Sequence, residues 1–304
     1  MQNTKLVLNL HKYTNKEVLE SIKYMKNTTC KTNGYKSISG GRYVLMAVLS
    51  IAMLFAYGNS RAAEYNLVVQ PIQPPDKTRK AFEPLAEYLS AKTGQTIKLV
   101  TAVNFLTYWE TMKKNNKYDI ILDAAHFTDY RREKMGYVVL AKILDVVSYS
   151  LITGEDEAIL DADELIGKRV ATMGSPSLGA VRLEEMFPNP LRQPVIVEVD
   201  NSLDSFDRIT NNQALAAIVP TPMVRGRIDV NTVTTTEQVP HMALSVSPKV
   251  DASTRKKIRD AMVNASKTPE GKKLLEVLRF PGFEKANNKI YEGYASLLEG
   301  VWGY

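Results

Sequence analysis

Short apolar runs alternate with longer amphipathic segments from residue 64 onward. The runs Tyr65–Val69, Thr96–Ala102 and Tyr118–Ala124 predict three strands, and YVVLAKI after Gly136 predicts a fourth. Strands that alternate with helices are typical of an α/β protein. Loops follow these strands at Gln73, Asn104 and Asp123. They are expected to gather at one edge of a parallel sheet, where such proteins bind ligands.

Helical spacing fills the segments between these strands. Phe82, Leu85 and Leu89 predict a first helix, with Pro84 in its first turn and Gly94 beyond its end as a cap.

Two further helices are predicted in this first half. Asn104 can cap a helix that carries Trp109 and Met112, whose spacing predicts core positions. The segment HFTDYRREKM predicts another helix, which Gly136 ends.

A second unit repeats this order. DADELIGKRVATMG predicts a short capped helix and a strand, and the turn SPSLG leads into a helix. The strand Gln193–Asp200, the helix Ser202–Asn211 and the strand Ala214–Pro220 follow. The loops at Ser175, Asn201 and Pro220 then meet at the edge of a second sheet.

The last part of the chain predicts a return and three helices. VNTVTTTEQVPHMALSVS is polar and β-branched, which favours a return crossing rather than a core element. Helices are predicted at Ser253–Ser266, at Pro269–Leu278 after the cap Thr268, and at about Asn288–Glu299.

The N-terminal segment predicts export. The apolar run Tyr43–Tyr57 is followed by Ser60 and Ala62 at the positions of a cleavage site, so residues 1–62 are interpreted as a signal peptide with an N-terminal extension. A membrane anchor is the alternative, but the run is shorter than a spanning helix requires. Cys30 would leave with the signal peptide.

Charge gives no reason to expect a nucleic-acid partner. The net charge of the 304 residues is +6, but residues 1–62 hold nine Lys and Arg side chains against two acids. The chain after Ala62 therefore carries a net charge of −1, and its basicity belongs to the targeting segment.

Four stretches carry a family resemblance: AFEPLAEYLSAKTGQTIKLV, YDIILDAAHFTDYRREKMGY, DADELIGKRVATMGSPSLGAVRLEEMF and ALAAIVP. They resemble the corresponding stretches of the phosphate/phosphonate-type periplasmic solute-binding proteins of ABC transporters. The resemblance covers Tyr65 to about Leu298. It implies a two-lobed α/β protein of the type II periplasmic class, each lobe a mainly parallel sheet flanked by helices and the two hinged by two crossings. Lobe one would hold residues 63–147 and 242–304, and lobe two residues 148–241.

The same resemblance implies a function without chemistry. The protein would be a periplasmic monomer without cofactor or metal, and it would deliver a small ligand to a membrane permease with its ATPase. The family's Ser/Thr-rich loop, which ends in Ser-Gly, is matched in part by Ser175, Ser177 and Gly179, with Leu178 where a small residue is usual. That loop, its helix N-terminus and Asn104, Asn201 and Ser202 would bind a phosphonate or related oxyanion.

Three other loops depart from the family pattern and support a second hypothesis. Asn104–Leu106, Asp123–His126 and Asn201–Leu203 replace loops richer in hydrogen-bond donors. An apolar cleft for a lipid or sterol is the alternative, with Asp123, Asn201 or Ser177 holding one polar head. Its walls would be Phe105, Leu106, Ala124, Ala125, Leu178, Leu203 and Met223.

For several candidate residues the sequence allows more than one role. Asp123 either faces the ligand or caps the following helix, and His126 is a cleft donor or a metal ligand, although no carboxylate stands at ligand spacing. Thr221 completes the expected site. SPSLG also approximates a serine-hydrolase turn, with His241 downstream, but the first glycine of that motif is missing.

Overall fold

The computed structural model describes residues 63–114, 117–301 and 304. The predicted signal peptide, its cleavage site after Ala62 and Cys30 lie outside these residues. Within the described ranges there are thirteen strands, seven α-helices and five short 3-10 turns.

The first elements are β1 (Glu64–Val69), α1 (Pro75–Thr93), β2 (Thr96–Val100), α2 (Phe105–Lys113), β3 (Ile120–Asp123), α3 (Ala125–Met135) and β4 (Val138–Ile143). Then come β5 (Val146–Val147), β6 (Tyr149–Gly154), β7 (Arg169–Met173), α4 (Leu178–Met186), β8 (Val195–Val199), α5 (Ser202–Thr210), β9 (Ala216–Pro220), β10 (Val230–Thr235) and β11 (Val239–Pro240). The last are β12 (Ala243–Val246), α6 (Ala252–Val263), α7 (Pro269–Leu278) and β13 (Phe283–Lys285). The 3-10 turns are Ala162–Leu165, Thr221–Met223, Ala265–Lys267, Asn288–Tyr291 and Tyr294–Leu298.

These strands form two sheets and a ribbon. The first sheet has the order β13-β4-β12-β3-β1-β2, in which β1 to β4 run one way and β12 and β13 the other. The second has the order β10-β6-β9-β7-β8, in which only β6 runs against its neighbours. The predicted α/β class is confirmed. Most strands of each sheet point the same way, but both sheets are mixed, because three of five neighbouring pairs in the first sheet and two of four in the second are antiparallel.

The chain passes between the two sheets at a small antiparallel ribbon. In this ribbon β5 pairs with β11, so that Val147 lies opposite Val239 and Val146 opposite Pro240. The chain leaves the first sheet through β5 and returns to it through β11.

The core of the first sheet follows the two-residue period of its strands. Leu67 and Ile120 join a cluster with α1, α6 and α7 on one face, whereas Val68 and Ile121 join a second cluster on the other face. The second cluster also contains apolar residues of β6, β7, β8 and β9. Apolar residues of both sheets therefore meet in this second cluster.

Predicted helix caps and core positions are largely confirmed. Asn104 Oδ1 accepts a hydrogen bond from the Thr107 N–H at 2.8 Å, and Gly94 ends α1 in the left-handed conformation with φ 73°. Trp109 and Met112 are buried, as their spacing predicts.

The start of α1 differs from the prediction. The helix begins at Pro75, so Pro84 lies inside it and not in its first turn. The turns before Phe82 are mostly exposed and polar, and they therefore carry no apolar period that would reveal them. Pro75 at the first position and Asp76 in the first turn are the signals that mark this end.

The expected return crossing contains a core strand. Residues 243–246 form β12, which is fully buried and lies between β3 and β4 in the first sheet. Four residues are too few to show a strand period, which is why the sequence pattern misses it.

The predicted C-terminal helix is two 3-10 turns. Gly293, with φ 94°, separates Asn288–Tyr291 from Tyr294–Leu298. The second turn packs against both α3 and α4, so this segment touches elements that precede and follow the β5 crossing.

Candidate ligand-binding site

A pocket of about 420 Å³ lies between the two sheets, next to the β5–β11 ribbon. Loops after β1, β7, β8 and β9 contribute to its wall, so the carboxyl ends of strands from both sheets meet there. Its polar side chains are Gln70, Gln73, Lys77, Tyr149, Asn201, Ser202 and His241. Its apolar residues are Ile72, Pro74, Ala124, Val147, Met173, Leu178, Leu203, Pro220, Pro222, Met223, Met242 and Phe280.

Tyr149 presents an unused hydroxyl to this pocket. The side chain, in β6, is only 7% exposed, and its hydroxyl makes no hydrogen bond to any described residue. Burial raises the pKa of this hydroxyl above its ordinary range, so it stays protonated and can donate. A buried hydroxyl without a partner is costly unless a ligand or water satisfies it.

His241 is a second donor on the ribbon side of the pocket. Its Nδ1 accepts a hydrogen bond from the Met242 N–H at 2.8 Å, so the proton of the neutral ring sits on Nε2. Burial, with a smaller effect of Lys142, lowers the pKa of His241 to about 4. At neutral pH the ring is therefore uncharged, and Nε2 has no partner among the described residues.

The remaining polar groups are also able to donate. Asn201 Oδ1 caps α5 by accepting the N–H groups of Leu203 and Asp204 at 3.0 and 3.2 Å, which leaves its amide nitrogen without a partner among the described residues. Ser202 Oγ has only a weak contact of 3.8 Å to the Met173 sulfur. Lys77 makes no ion pair with any described residue, and no described Asp or Glu lines the pocket.

Gln70 is the exception, because both ends of its side chain are engaged. Its Oε1 accepts the Ala124 N–H at 3.0 Å, and its Nε2 lies 3.1 Å from the Met242 sulfur. Gln70 therefore shapes the floor of the pocket rather than offering a free group.

The serine loop that the sequence singles out is mainly structural. Ser177 is fully buried; its Oγ accepts the Ala180 N–H at 3.2 Å and donates to the Met173 carbonyl at 2.9 Å. It is the N-cap of α4, and its hydroxyl is satisfied within the loop. Of this loop only Leu178 reaches the pocket.

Gly179 lies beneath the ring of Tyr149. A Cβ at this position would be 3.2 Å from Tyr149 Cε1. The glycine thus lets the aromatic ring lie close to the first turn of α4.

Asp123 neither faces the pocket nor caps α3. It is completely buried and holds Arg131 through two contacts, at 2.5 and 2.7 Å, while Thr128 Oγ1 and the Tyr108 hydroxyl donate to it at 2.9 and 2.5 Å. Arg131 also donates to Ser245 Oγ of β12 at 3.0 Å. The carboxylate therefore joins α2, α3, β3 and β12.

The other predicted site residues that lie outside the pocket are His126, Phe105, Thr221, Asn104 and Ser175. His126 Nε2 lies 2.9 Å from the Pro176 carbonyl, and burial lowers its pKa to about 4. Phe105 is buried and stacks on Phe127. Thr221 Oγ1 is hydrogen-bonded to Ser148 and Ser150. Asn104 and Ser175 also do not line the pocket.

The structure thus brings four of the eleven predicted site residues to the pocket: Gln73, Leu178, Asn201 and Ser202. Sequence reasoning missed Tyr149, Lys77 and the binding position of His241. Their signals were weak, because Tyr149 is one aromatic residue in an apolar strand and Lys77 lies in a turn without an apolar period.

The geometry around Ser177 does not resemble a serine-hydrolase site. Neither His126 nor His241 is hydrogen-bonded to its hydroxyl, which donates to a backbone carbonyl.

A larger depression of about 760 Å³ lies at the other end of the strands of the second sheet, where β7, β9 and β10 begin. Its walls, such as Glu155, Lys168, Arg169 and Asp229, come from the second sheet and its loops alone, so the first sheet does not contribute. Among the described residues there is no cluster of three or more His, Cys, Asp or Glu side chains that could hold a metal ion. No described helix is both long and apolar enough to span a membrane.

Comparison with known proteins gives one family match and several similar structures. Residues 67–291 match the model of the family described as ABC transporter, phosphonate, periplasmic substrate-binding protein. No curated protein sequence matches the chain.

The similar structures share the fold at low sequence identity. PhnD1 from Prochlorococcus marinus in complex with methylphosphonate has a TM-score of 0.67 at 12% identity, over 78% of this chain and 98% of that one. A binding protein component of an ABC phosphonate transporter from Pseudomonas aeruginosa has a TM-score of 0.65 at 13% identity, over 78% and 85%. XAC2383 from Xanthomonas citri bound to ATP has a TM-score of 0.64 at 13% identity, over 79% and 100%.

Proposed function

Because the chain belongs to the phosphonate periplasmic substrate-binding proteins of ABC transporters, we propose that it binds a phosphonate or related oxyanion in the pocket between its sheets and delivers it to a membrane permease. The observation that carries the ligand class is the set of polar side chains in the pocket. Tyr149, His241, Asn201, Ser202 and Lys77 can all donate hydrogen bonds, and no described carboxylate lines the wall.

An anion gains most from such a set of donors. Hydrogen bonds to a charged acceptor are about twice as strong as neutral ones. Since no described carboxylate lines the wall, the anion is also spared the repulsion of a like charge there. The methylphosphonate that PhnD1 binds supports the same ligand class on the same fold.

Calorimetry with methylphosphonate, phosphate and sulfate tests the proposal. Tyr149→Phe removes only the unpartnered hydroxyl, so we expect affinity for the bound oxyanion to fall about tenfold to a hundredfold, the range for a hydrogen bond to a charged group. The free energy of unfolding should not fall, since that hydroxyl makes no hydrogen bond within the described protein. Tyr130→Phe, outside the pocket, is the matched control.

The cation is tested in the same way. Lys77→Met should weaken oxyanion binding several-fold and reduce its dependence on salt, because an exposed cation acts through screened attraction. Lys80→Met, on the same helix but outside the pocket, should change neither. If no oxyanion binds the unmodified protein at millimolar concentration, the proposed ligand class is wrong.

The lobe boundaries belong to the same proposal. Residues 63–147 with 242–304 would form one lobe and residues 148–241 the other, with the β5–β11 ribbon as hinge. The ribbon supports this division because the chain crosses between the sheets only there within the described ranges. Closure of two lobes on a ligand would complete a site to which each contributes.

Export and assembly complete the proposal. We expect the exported protein to begin at Ala63, to be a monomer that does no chemistry, and to bind no nucleic acid. N-terminal sequencing of the periplasmic form and its mass by light scattering test these points. A product that begins upstream of Tyr43, or one that detergent alone extracts, would contradict cleavage after Ala62.

A further inference from the structure

We infer that the ligand carries an alkyl chain of several carbon atoms on its anionic group, longer than the methyl group of methylphosphonate, as in a butyl- or octylphosphonate or a butyl phosphate. This inference rests on the proposed function, since it names what is attached to the oxyanion in the same pocket.

The size of the pocket is the first observation. Its volume of about 420 Å³ lies in the range of pockets that enclose a whole small-molecule ligand. A phosphonate group consists of one phosphorus and its oxygens, so alone it would displace only a minor part of that volume. The remainder must hold either water or another part of the ligand.

The chemistry of the remaining wall favours the second possibility. Apolar side chains from separate segments converge on the pocket: Ile72 after β1, Met173 and Leu178 around the β7–α4 turn, Met223 after β9, and Phe280 after α7. A water molecule beside such a wall has few hydrogen-bond partners. An alkyl group in the same place would remove the apolar wall from water, which is favourable. Pockets of this kind bind ligands whose few polar atoms fix the orientation of an apolar body.

The type of apolar residue indicates what shape of substituent fits. Met173, Met223 and Met242 all line the pocket. Methionine is unbranched and flexible, so it adapts to irregular shapes. We therefore expect linear and branched alkyl groups to bind with similar affinity.

Calorimetry with a series of alkylphosphonates, from methyl through butyl to octyl, tests the inference, with butyl phosphate as a second headgroup. Each methylene that enters the pocket should tighten binding about fourfold, until the chain exceeds the pocket and the gain stops. The heat capacity change of binding should also become more negative with chain length.

A pair of variants locates the effect. Met223→Ser should lower the ratio of octyl- to methylphosphonate affinity about tenfold, because it removes apolar contact from the wall. Leu160→Ser is the control: its side chain is 89% exposed and outside the pocket, so the ratio should stay as in the unmodified protein.

The outcomes separate this inference from the proposed function. Methylphosphonate and octylphosphonate that bind equally well would overturn the inference and leave the oxyanion site in place. Equal binding of octylphosphonate and octanol, with no binding of methylphosphonate, would overturn the proposed anion site while the apolar subsite stands. A ratio that Met223→Ser and Leu160→Ser lower equally would overturn the placement of the alkyl group at this wall.

Discussion

Replacing Arg131 with methionine should destabilise the protein by about 3–5 kcal/mol, the usual cost of breaking a buried ion pair. Arg131 holds Asp123 through contacts of 2.5 and 2.7 Å, and both side chains are fully buried. Methionine leaves the Asp123 carboxylate in the interior with only the hydroxyls of Tyr108 and Thr128 as partners. It also removes the hydrogen bond to Ser245 in β12.

A double-mutant cycle isolates the charge pair. In Asp123→Leu with Arg131→Met neither charge remains, so the interior no longer holds an uncompensated ion. The double variant still leaves the Tyr108, Thr128 and Ser245 hydroxyls short of a partner. We therefore expect it to be less stable than the unmodified protein, but by about 3 kcal/mol less than the two single losses combined.

Urea denaturation followed by circular dichroism measures these free energies, and calorimetry on the same samples measures ligand affinity. Asp229→Asn is the control, because the Arg227–Asp229 pair lies at the surface and should contribute no measurable stability. If Arg131→Met were as stable as the unmodified protein within error, the reasoning would be refuted, because the buried Asp123 carboxylate would then not depend on its cation.

Three further predictions concern pH, packing and movement. The pKa of His126 is about 4 in the folded protein and ordinarily about 6.5, so the unfolded chain gains a proton first as pH falls. Protonation of His126 in the unfolded chain should therefore lower the free energy of unfolding by about 3 kcal/mol between pH 6.5 and 4. Urea denaturation of His126→Gln at the same pH values should not show this decrease. Gly271→Ala would put a Cβ 2.2 Å from the Ala265 carbonyl oxygen and should cost about 3 kcal/mol or more, whereas Gly154→Ala meets only an ordinary contact; normal melting of both variants would contradict this. Small-angle scattering should show a smaller radius of gyration at saturating butylphosphonate, and unchanged dimensions would reject the hinge.

Local signals predicted the order of elements well. The strand β3 is a run of four buried residues, and β7 begins where RVATM turns apolar. Caps such as Thr268 before Pro269 fix helix ends through contacts within a few residues, so the sequence contains all the information that they need.

The site was harder to predict because its polar side chains form hydrogen bonds and ion pairs with residues that are distant in sequence. An acid at the end of a strand has the same local sequence whether it faces a ligand or an arginine. Arg131 lies four residues after Phe127 on the buried face of α3, and a cation there indicates a buried anion nearby. That spacing was the available signal for the role of Asp123.

The pocket residues illustrate the opposite problem. Ser177 resembles an anion-binding serine in sequence, yet its hydroxyl is consumed by the helix that it caps. Tyr149 has no such motif; its ring lies against Gly179 of α4, and its hydroxyl has no hydrogen-bond partner among the described residues. Which donors stay unpaired is decided by tertiary contacts, which a single sequence does not display.

The position of β12 has a consequence for biosynthesis. β3 and β4 are neighbours in the chain, but β12 separates them in the sheet, and it begins 100 residues after β4 ends. At about 5–20 residues per second, a ribosome needs about 5–20 seconds to make that interval. Until then the facing edges of β3 and β4 lack the backbone partners that complete the sheet. The first sheet of a nascent chain therefore stays incomplete until β12 has been made, whereas every strand of the second sheet is made before β12.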